Sequence, residues 1–353
     1  MINVAALTSG RCTPSARLRI RQHIGPLKRS GICVREYLPV INKYSPIPEV
    51  FSSFNLNRLV LFQVLWKLVK IAAVVPGVAG TWKAGVNWLE RGILPGLLTF
   101  EPFLKRPCVL DVDDAIWMTP PFGSFALRHI ARNIDVVIAG NTYIADWFSP
   151  YAKDIRIVPT AVDTDYIRPS GHLKTERSKR PYRVGWIGTS GNYLSLYTIE
   201  KALDRFISNY DAELLIVSDQ PPRFSMLKSE KLKYIRWTPS AEMQALGLID
   251  VGIMPLISNE WSLGKCSFKM LQYMAAGLPV IVSPIGMNAE VLSMGEVGYG
   301  PVNEADWYDS LVHLYSNSLL SLEYGRRGRL IVERHFSRSI ISSMLADIFN
   351  EFR

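Results

Sequence analysis

Short apolar runs alternate with longer amphipathic segments along the whole chain. Such alternation is typical of βαβ units and predicts parallel sheets flanked by helices. The predicted strands fall into two groups of similar size. They are Ile2–Leu7, Gly31–Tyr37, Cys108–Val112, Val136–Ala139 and Ile155–Val158, and then Arg183–Ile187, Ala212–Val217, Tyr234–Trp237, Val251–Met254 and Val280–Val282.

A polar segment bounded by prolines, Arg168–Pro181, lies between the two groups and has the composition of a linker. We therefore predict a Rossmann-like domain over residues 1–168, a linker at 169–181 and a second Rossmann-like domain over 182–336. Residues 337–353 repeat apolar side chains at helical spacing and predict a final helix.

Leu59–Val75 also shows helical spacing and is strongly apolar. Lys67 and Lys70 in its middle argue against a membrane-spanning helix. Two interpretations remain: a helix packed on the sheet, or a helix in the membrane interface whose basic side chains meet anionic headgroups.

Charge is unevenly distributed, because residues 1–110 carry a net +11 and the remaining residues a net −2. This asymmetry indicates an anionic partner for the first third of the chain. No nucleic-acid-binding motif accompanies it, so we favour an anionic membrane or a lipid-linked acceptor over nucleic acid.

The first residues lack the basic start of a secretory signal, and the four cysteines form no CxxC pair. We read them as reduced thiols. These features predict a cytoplasmic protein, at the inner face of the plasma membrane if the basic region meets lipid.

The second group of strands opens with a buried strand that runs into Gly188, Thr189 and Ser190 and then into a helical stretch. Backbone N–H groups and a helix dipole converge at such a turn and can bind an anion. A plain strand–helix turn would have a similar sequence, so both interpretations stay open.

The segment Trp261–Leu292 combines several signals. Lys265 and Lys269 are four residues apart, so on a helix they would share a face and could clamp a diphosphate. Gly277 is predicted to be the glycine that ends a helix. A buried strand and a loop containing Gly286 follow, and we expect Glu290 to begin the next helix.

These residues resemble the retaining glycosyltransferases of GT-B family 4. The resemblance rests on Met274-Ala275-Ala276-Gly277-Leu278-Pro279-Val280, Gly286 and Glu290-Val291, and less specifically on Val158–Asp163 and His335-Phe336-Ser337. It implies two Rossmann-like domains facing a cleft, with the last helix crossing back to the N-terminal domain. It also implies sugar transfer from a nucleotide-sugar, held in the C-terminal domain, with retention of configuration.

Many members of the family have two glutamates that contact the donor sugar and the ribose. This chain has Gly264 and Gln272 at those two positions. Gln272 could still hydrogen-bond a ribose hydroxyl. Our hypothesis is that Lys265 and Lys269 neutralise the donor diphosphate.

On the acceptor side, Asp113 and Asp114 stand where the family often has His-Asp. Such a carboxylate could orient the acceptor hydroxyl or help to take its proton. An equally good alternative is a helix cap or a turn. The triplet Asp111-Val112-Asp113 lies in the wrong domain for a donor metal, so we expect neither a metal site nor a tightly bound cofactor.

The loop after the first strand keeps one glycine, Gly10, of the family's glycine-rich loop, with Arg11, Arg17 and Arg19 nearby. These arginines could bind a phosphate or form a solvated basic face. Asn141, a candidate acceptor-side residue, lies where the family places a residue near the interdomain cleft, and a helix N-cap explains it at least equally well.

The leading interpretation is an enzyme that transfers a hexose or similar sugar to a glycan or lipid-linked acceptor in cell-surface polysaccharide or glycolipid synthesis. The alternative is a non-catalytic nucleotide-sugar-binding or scaffold protein of the same fold, suggested by the missing glutamate pair.

Overall fold

The computed structural model describes residues 1–11, 13–48, 60–169 and 180–353, without the side chains of Val60 and Leu61. The chain forms two compact units. One comprises Met1–Ala161 together with Arg338–Arg353, and the other comprises Val162–Ser337. Most of the predicted linker, residues 170–179, lies outside the described residues.

The first unit is built on a six-stranded parallel sheet of order β2-β1-β3-β4-β5-β6. Its strands are β1 (Ile2–Leu7), β2 (Ile32–Tyr37), β3 (Val86–Glu90), β4 (Cys108–Val112), β5 (Val136–Ala139) and β6 (Ile155–Ile157). Its helices include α1 (Ile24–Arg29), α2 (Val60–Thr81), α3 (Gly123–Arg132) and α4 (Thr142–Phe148). The sequence pattern missed β3, which carries Asn87 and Glu90 among its buried residues.

The second unit has its own six-stranded parallel sheet, of order β12-β11-β10-β7-β8-β9. Its strands are β7 (Tyr182–Ile187), β8 (Ala212–Ser218), β9 (Leu232–Arg236), β10 (Val251–Met254), β11 (Val280–Val282) and β12 (Gly298–Tyr299). Its helices are α5 (Tyr193–Tyr197), α6 (Glu200–Asn209), α7 (Pro239–Leu246), α8 (Glu260–Leu263), α9 (Phe268–Ala275), α10 (Met287–Ser293), α11 (Glu304–Ser316) and α12 (Ser318–His335).

The last helix, α13 (Arg338–Asn350), returns to the first unit, as the sequence predicts. Phe349 is fully buried and meets the ring of Trp88 edge-on, with 5.0 Å between ring centroids. His23 is also buried, and its Nδ1 lies 2.7 Å from the hydroxyl of Ser342 on α13. The final helix therefore completes the core of the first unit.

Candidate functional site

Gly188 directly follows β7 and lies beneath Lys269 of α9. A Cβ atom at Gly188 would come within 2.7 Å of Lys269 Cε. The glycine therefore leaves room for the lysine side chain to cross the loop. The structure brings together two of the residues predicted to bind the donor.

Ser190, two residues further on, is bound to a carboxylate that the sequence did not suggest. Its N–H and hydroxyl donate to the two oxygens of Asp219, at 2.7 and 2.9 Å. Thr189 accepts a hydrogen bond of 2.8 Å from the Asn192 amide. The loop thus binds an anion in the described state, and that anion is a side chain of the protein itself.

The pKa of Asp219 reflects the same contacts. Burial raises it, but hydrogen bonds from Ser190, from the Asp219 backbone N–H and from the Ser218 hydroxyl together outweigh burial and hold the pKa of this carboxyl below its usual range. The Gly188–Ser190 loop therefore favours negative charge.

The end of α9 has the hydrogen bonds of a Schellman motif. Gly277 has φ +73°, its N–H donates to Met274 O, and the N–H of Leu278 donates to Tyr273 O. The prediction of a helix-ending glycine is confirmed.

Tyr273 fixes α9 to the end of β7. Its side chain is fully buried, and its hydroxyl accepts the N–H of Ile187 at 2.8 Å. A Cβ at Gly252 would lie 2.2 Å from the tyrosine ring, so a larger residue there would displace it. This packing holds the Lys269 helix against the Gly188 loop.

Lys265 and Lys269 do not share a helix face, and that expectation is wrong. Ser267 has left-handed backbone angles, φ 50° and ψ 22°, and α9 begins only at Phe268. Lys265 precedes the helix, with its ammonium 5.9 Å from the centroid of the Trp261 ring. A donor-binding role for Lys265 stays a prediction.

Gln272 is buried one turn after Lys269, and its amide donates to Glu242 Oε1 at 2.6 Å. The indole of Trp237 donates to the other carboxylate oxygen at 3.0 Å. Because only the NH₂ group can donate to a carboxylate, this contact fixes the orientation of the Gln272 amide. Glu242 lies 30 residues away in sequence, and no local pattern marks it.

The loop before α10 contains Gly286, with φ +54°. A Cβ there would lie 2.9 Å from the carbonyl oxygen of Leu263, so the loop backbone approaches the end of α8 closely. Glu290 does not begin the next helix as expected, because α10 starts at Met287 and places this exposed glutamate in its first turn.

In the first unit, Asp113 and Asp114 are both held by Arg91. Arg91 Nε donates to Asp113 and Nη2 to Asp114, each at 2.6 Å, and Nη1 reaches the Tyr44 hydroxyl at 3.2 Å. Arg91 has φ +57°, an uncommon backbone conformation for a side chain of its size. Sequence reasoning missed it because it follows the unrecognised strand β3.

This ion pair sets the charge of the predicted catalytic carboxylates. Burial raises the pKa of Asp113, but the Arg91 guanidinium outweighs burial and holds that pKa below its usual range. Burial lowers the pKa of Arg91, and the two carboxylates more than reverse this. An ionised, paired carboxylate is better suited to orienting a hydroxyl than to removing its proton.

The loop after β1 is organised by Glu90, whose side chain is buried. Its carboxylate accepts the Ser9 N–H at 2.7 Å and the Ser15 hydroxyl at 2.6 Å. Gly10, with φ +152°, lies between these two serines.

The arginines near this loop occupy different environments. Arg11 is exposed and Arg17 half-buried. Arg21 donates to the carbonyl of Arg11 at 2.7 Å and pairs with Glu36. Arg19 is buried and donates to Asp111 at 2.7 Å, so it faces the core and not a phosphate.

Asp111 is therefore paired inside the first unit, and the Trp88 indole also donates to it, at 3.1 Å. Within the described residues, no group of three or more His, Cys, Asp or Glu side chains could hold a metal ion.

Asn141 is the N-cap of α4, since its Oδ1 accepts the Ile144 N–H at 2.9 Å and its side chain is buried. The geometry thus supports the helix-cap alternative at this position.

The second unit is similar to a known protein family. Residues 182–317 match the family model "Glycosyl transferases group 1". That range includes the Gly188 loop, Lys269, Gln272 and Gly286. The chain therefore carries a glycosyltransferase group 1 domain. None of the curated protein sequences is significantly similar to the chain.

Solved structures show the same fold over nearly the whole chain. The Anabaena protein HepE in complex with UDP and glucose has 12% sequence identity and a TM-score of 0.72, covering 99% of this chain and 100% of HepE. Its complex with UDP-glucose gives a TM-score of 0.70. Sucrose-phosphate synthase from Thermosynechococcus elongatus has 11% identity and a TM-score of 0.70, with 99% of each chain covered. The predicted GT-B architecture, two parallel six-stranded sheets with flanking helices, is confirmed.

Proposed function

We propose that this protein is a nucleotide-sugar-dependent glycosyltransferase that moves a hexose or similar sugar to a glycan or lipid-linked acceptor. The observation that carries the proposal is the crossing of Lys269 over Gly188, inside the segment that matches the family model. A lysine ammonium beside a strand-end loop can neutralise a diphosphate. A uridine nucleotide is the first donor to test, because HepE is described in complex with UDP-glucose.

In this proposal the donor diphosphate displaces Asp219 from the donors of Ser190. Both are anions, and the loop already holds one in the described state. Lys269 supplies the balancing charge, and the fixed Gln272 amide accepts a ribose hydroxyl through its oxygen.

On the acceptor side, Asp113 and Asp114 orient the acceptor hydroxyl, and Arg91 pairs with both and holds the pKa of Asp113 below its usual range. The acceptor proton passes to the departing phosphate, which assists attack on the same face of the sugar. Configuration is thereby retained, as in family 4 of the GT-B enzymes. No step calls for a tightly bound cofactor or a metal held by protein ligands.

The biological setting we propose is the cytoplasm, at the inner face of the plasma membrane. The net charge of +11 in residues 1–110 supports a peripheral contact with anionic lipid there. Synthesis of a cell-surface polysaccharide or glycolipid would use a lipid-linked acceptor at this location.

Thermal-shift measurements with nucleoside diphosphates and their sugars test the donor assignment. A ligand that binds the native state raises the melting temperature by mass action. We expect one nucleotide series to stabilise the protein and the others to have little effect. A flat response across the whole series would contradict the proposal.

The Lys269→Ala variant tests the site itself. Loss of a charge-assisted contact predicts donor affinity at least ~10-fold weaker, equivalent to ~1.4 kcal/mol. The matched control is Lys201→Ala, which removes an exposed lysine paired with Glu304 in the same unit. Equal donor affinity in both variants would remove Lys269 from the site.

A second candidate is a non-catalytic nucleotide-sugar-binding protein, favoured by Gly264 and Gln272 in place of the glutamate pair. Donor binding without transfer and without slow donor hydrolysis would support this alternative.

A further inference from the structure

Helix α2 differs from the other long helices in how little of it is buried. It runs 22 residues, Val60–Thr81, which corresponds to about 33 Å. Within Phe62–Thr81, an 18-residue window has a mean hydropathy of 1.5, and the helix is long and apolar enough to cross a membrane. The described structure buries only 6% of that window.

One side of α2 packs on the sheet. A Cβ at Gly80 would lie 2.3 Å from the Tyr37 ring, and one at Gly77 would lie 3.4 Å from Tyr37 Cβ. On the same side, the Lys70 ammonium donates to the carbonyls of Lys43 and Ser45, at 2.9 and 2.6 Å. Lys70 is therefore bound to the protein's own backbone and does not point toward headgroups.

The opposite side of α2 is an apolar stripe. At helical spacing it presents Val64, Leu65, Leu68, Ala72, Val75 and Ala79. The four larger side chains of this stripe are 46–53% exposed. The outer face of a soluble helix normally carries polar and charged residues. An apolar stripe of this length marks an interaction surface.

Basic and aromatic side chains lie near the C-terminal end of α2. Trp82 is 63% exposed, and Lys83 beside it is also exposed. The Lys105 ammonium reaches the carbonyls of Trp82 and Ala84, at 3.4 and 2.9 Å. The guanidinium of Arg35 lies 5.2 Å from the Tyr37 ring, against which Gly80 packs.

The topology prevents α2 from spanning a bilayer. It connects β2 to β3, and both strands pair with β1 in one sheet. Its packed side lies on residues of that sheet along the second half of the helix. The helix is therefore held flat on the unit, and one of its long sides is exposed in the part of the chain that the structure describes.

We propose that α2 docks this protein onto an anionic membrane surface. The helix lies parallel to the bilayer, with the apolar stripe at the boundary of headgroups and acyl chains. Lys83, which is exposed, meets lipid phosphates, and Trp82 lies at headgroup level. The charge favours lipid over a second copy of the chain, since two regions of net +11 would repel each other.

Co-sedimentation of the full-length protein with lipid vesicles tests the docking. We expect binding to vesicles of phosphatidylcholine with phosphatidylglycerol, much weaker binding to phosphatidylcholine alone, and a decrease as salt is raised. Equal binding to the two vesicle types would overturn the role of the basic residues.

Substitutions on the stripe test the helix. Leu68→Asp combined with Val75→Asp should weaken binding to anionic vesicles at least ~10-fold. The matched control is Val302→Asp combined with Leu319→Asp, two apolar residues that are 77% and 79% exposed in the other unit. Lys83→Glu should reduce both the binding and its salt dependence. An unchanged melting temperature and donor-induced shift show that each variant folds.

Three results would overturn the proposal. One is equal vesicle binding by the stripe variant and its control. Another is a lipid-free dimer, seen by light scattering, that the stripe substitutions dissociate, because a second copy would then cover the stripe. The third is resistance to alkaline carbonate extraction, which would show a spanning helix. None depends on the donor site, so docking can fail while the proposed activity holds.

Discussion

At the scale of single residues, Arg91 decides what the acidic pair of the first unit can do. Asp113 and Asp114 are recognisable in the sequence because they follow a strand. The arginine that joins them precedes Asp113 by 22 positions. Its importance comes from two short contacts that only the folded chain creates.

Arg91→Lys should lower the transfer rate at least ~10-fold with donor affinity unchanged, since one ammonium cannot replace a planar guanidinium that bridges two carboxylates. Arg91 holds the pKa of Asp113 below its usual range, so weaker pairing raises that pKa. The acidic limb of the rate–pH profile should then move to higher pH. Arg128→Lys, which changes an arginine beside the Tyr151 ring, is the control. A lower rate with an unmoved limb would indicate a purely structural role.

The Glu242–Gln272 contact is also a residue-scale feature, and it places a carboxylate next to a glutamine that stands where the family has a glutamate. Glu242→Gln removes the charge and leaves the Gln272 amide without its anionic acceptor. Loss of a charged hydrogen bond predicts a donor KM raised ~10-fold, or ~1.4 kcal/mol. Glu230→Gln, in a short turn before β9, provides the comparison. If the two variants have equal KM values, Glu242 does not position Gln272.

At the scale of elements, α13 depends on a neutral histidine. Burial, followed by the positive charge of Arg19, lowers the pKa of His23 from 6.5 to about 3. The unfolded chain therefore binds a proton below pH 6.5 that the folded chain does not. The contribution of neutral His23 to the free energy of unfolding is therefore complete above pH 6.5 and is lost as the pH falls toward 3.

Between pH 7 and pH 5, the wild type should lose about 2 kcal/mol more unfolding free energy than His23→Gln. Urea unfolding of both proteins at the two pH values measures this difference directly. Other titrating groups, such as buried Asp111, affect both proteins and cancel in the comparison. An equal loss in the two proteins would show that His23 takes up its proton in the folded state.

The alternation of apolar and polar segments predicts most strands well, since a buried parallel strand is a nearly continuous apolar run. It fails at β3, where two polar residues are buried: the Asn87 amide donates to the carbonyl of Lys105, and the Glu90 carboxylate accepts the Ser9 N–H. The prediction that Lys265 and Lys269 share a helix face also fails. Ser267 has a left-handed backbone conformation, so the helix that carries Lys269 does not extend back to Lys265. Both failures arise from contacts or backbone angles that periodicity does not encode.

At the scale of the whole molecule, the sequence predicts the fold more completely than it predicts the contacts within the candidate site. The turn at Gly277 and the amphipathic last helix are local patterns, and the structure reproduces both. Asp219 and Arg91 each follow a strand, and Glu242 lies in α7, all at least 22 positions in sequence from the predicted site residues that they contact, so these contacts appear only in the fold. The net positive charge of the first third is likewise visible in the sequence, while the orientation of Lys70 toward backbone carbonyls is not.

The return of α13 has a consequence for how the protein is made. The ribosome finishes the six strands of the first unit before it begins the second. The ring contact between Trp88 and Phe349 can form only after the last helix has been synthesised. During synthesis of the intervening residues, the nascent first unit exposes apolar surface that only the last residues will cover, and such surface promotes aggregation. The first unit to be synthesised is thus the last to be completed. In a chain that stops before Arg338, the apolar surface that α13 covers would stay exposed.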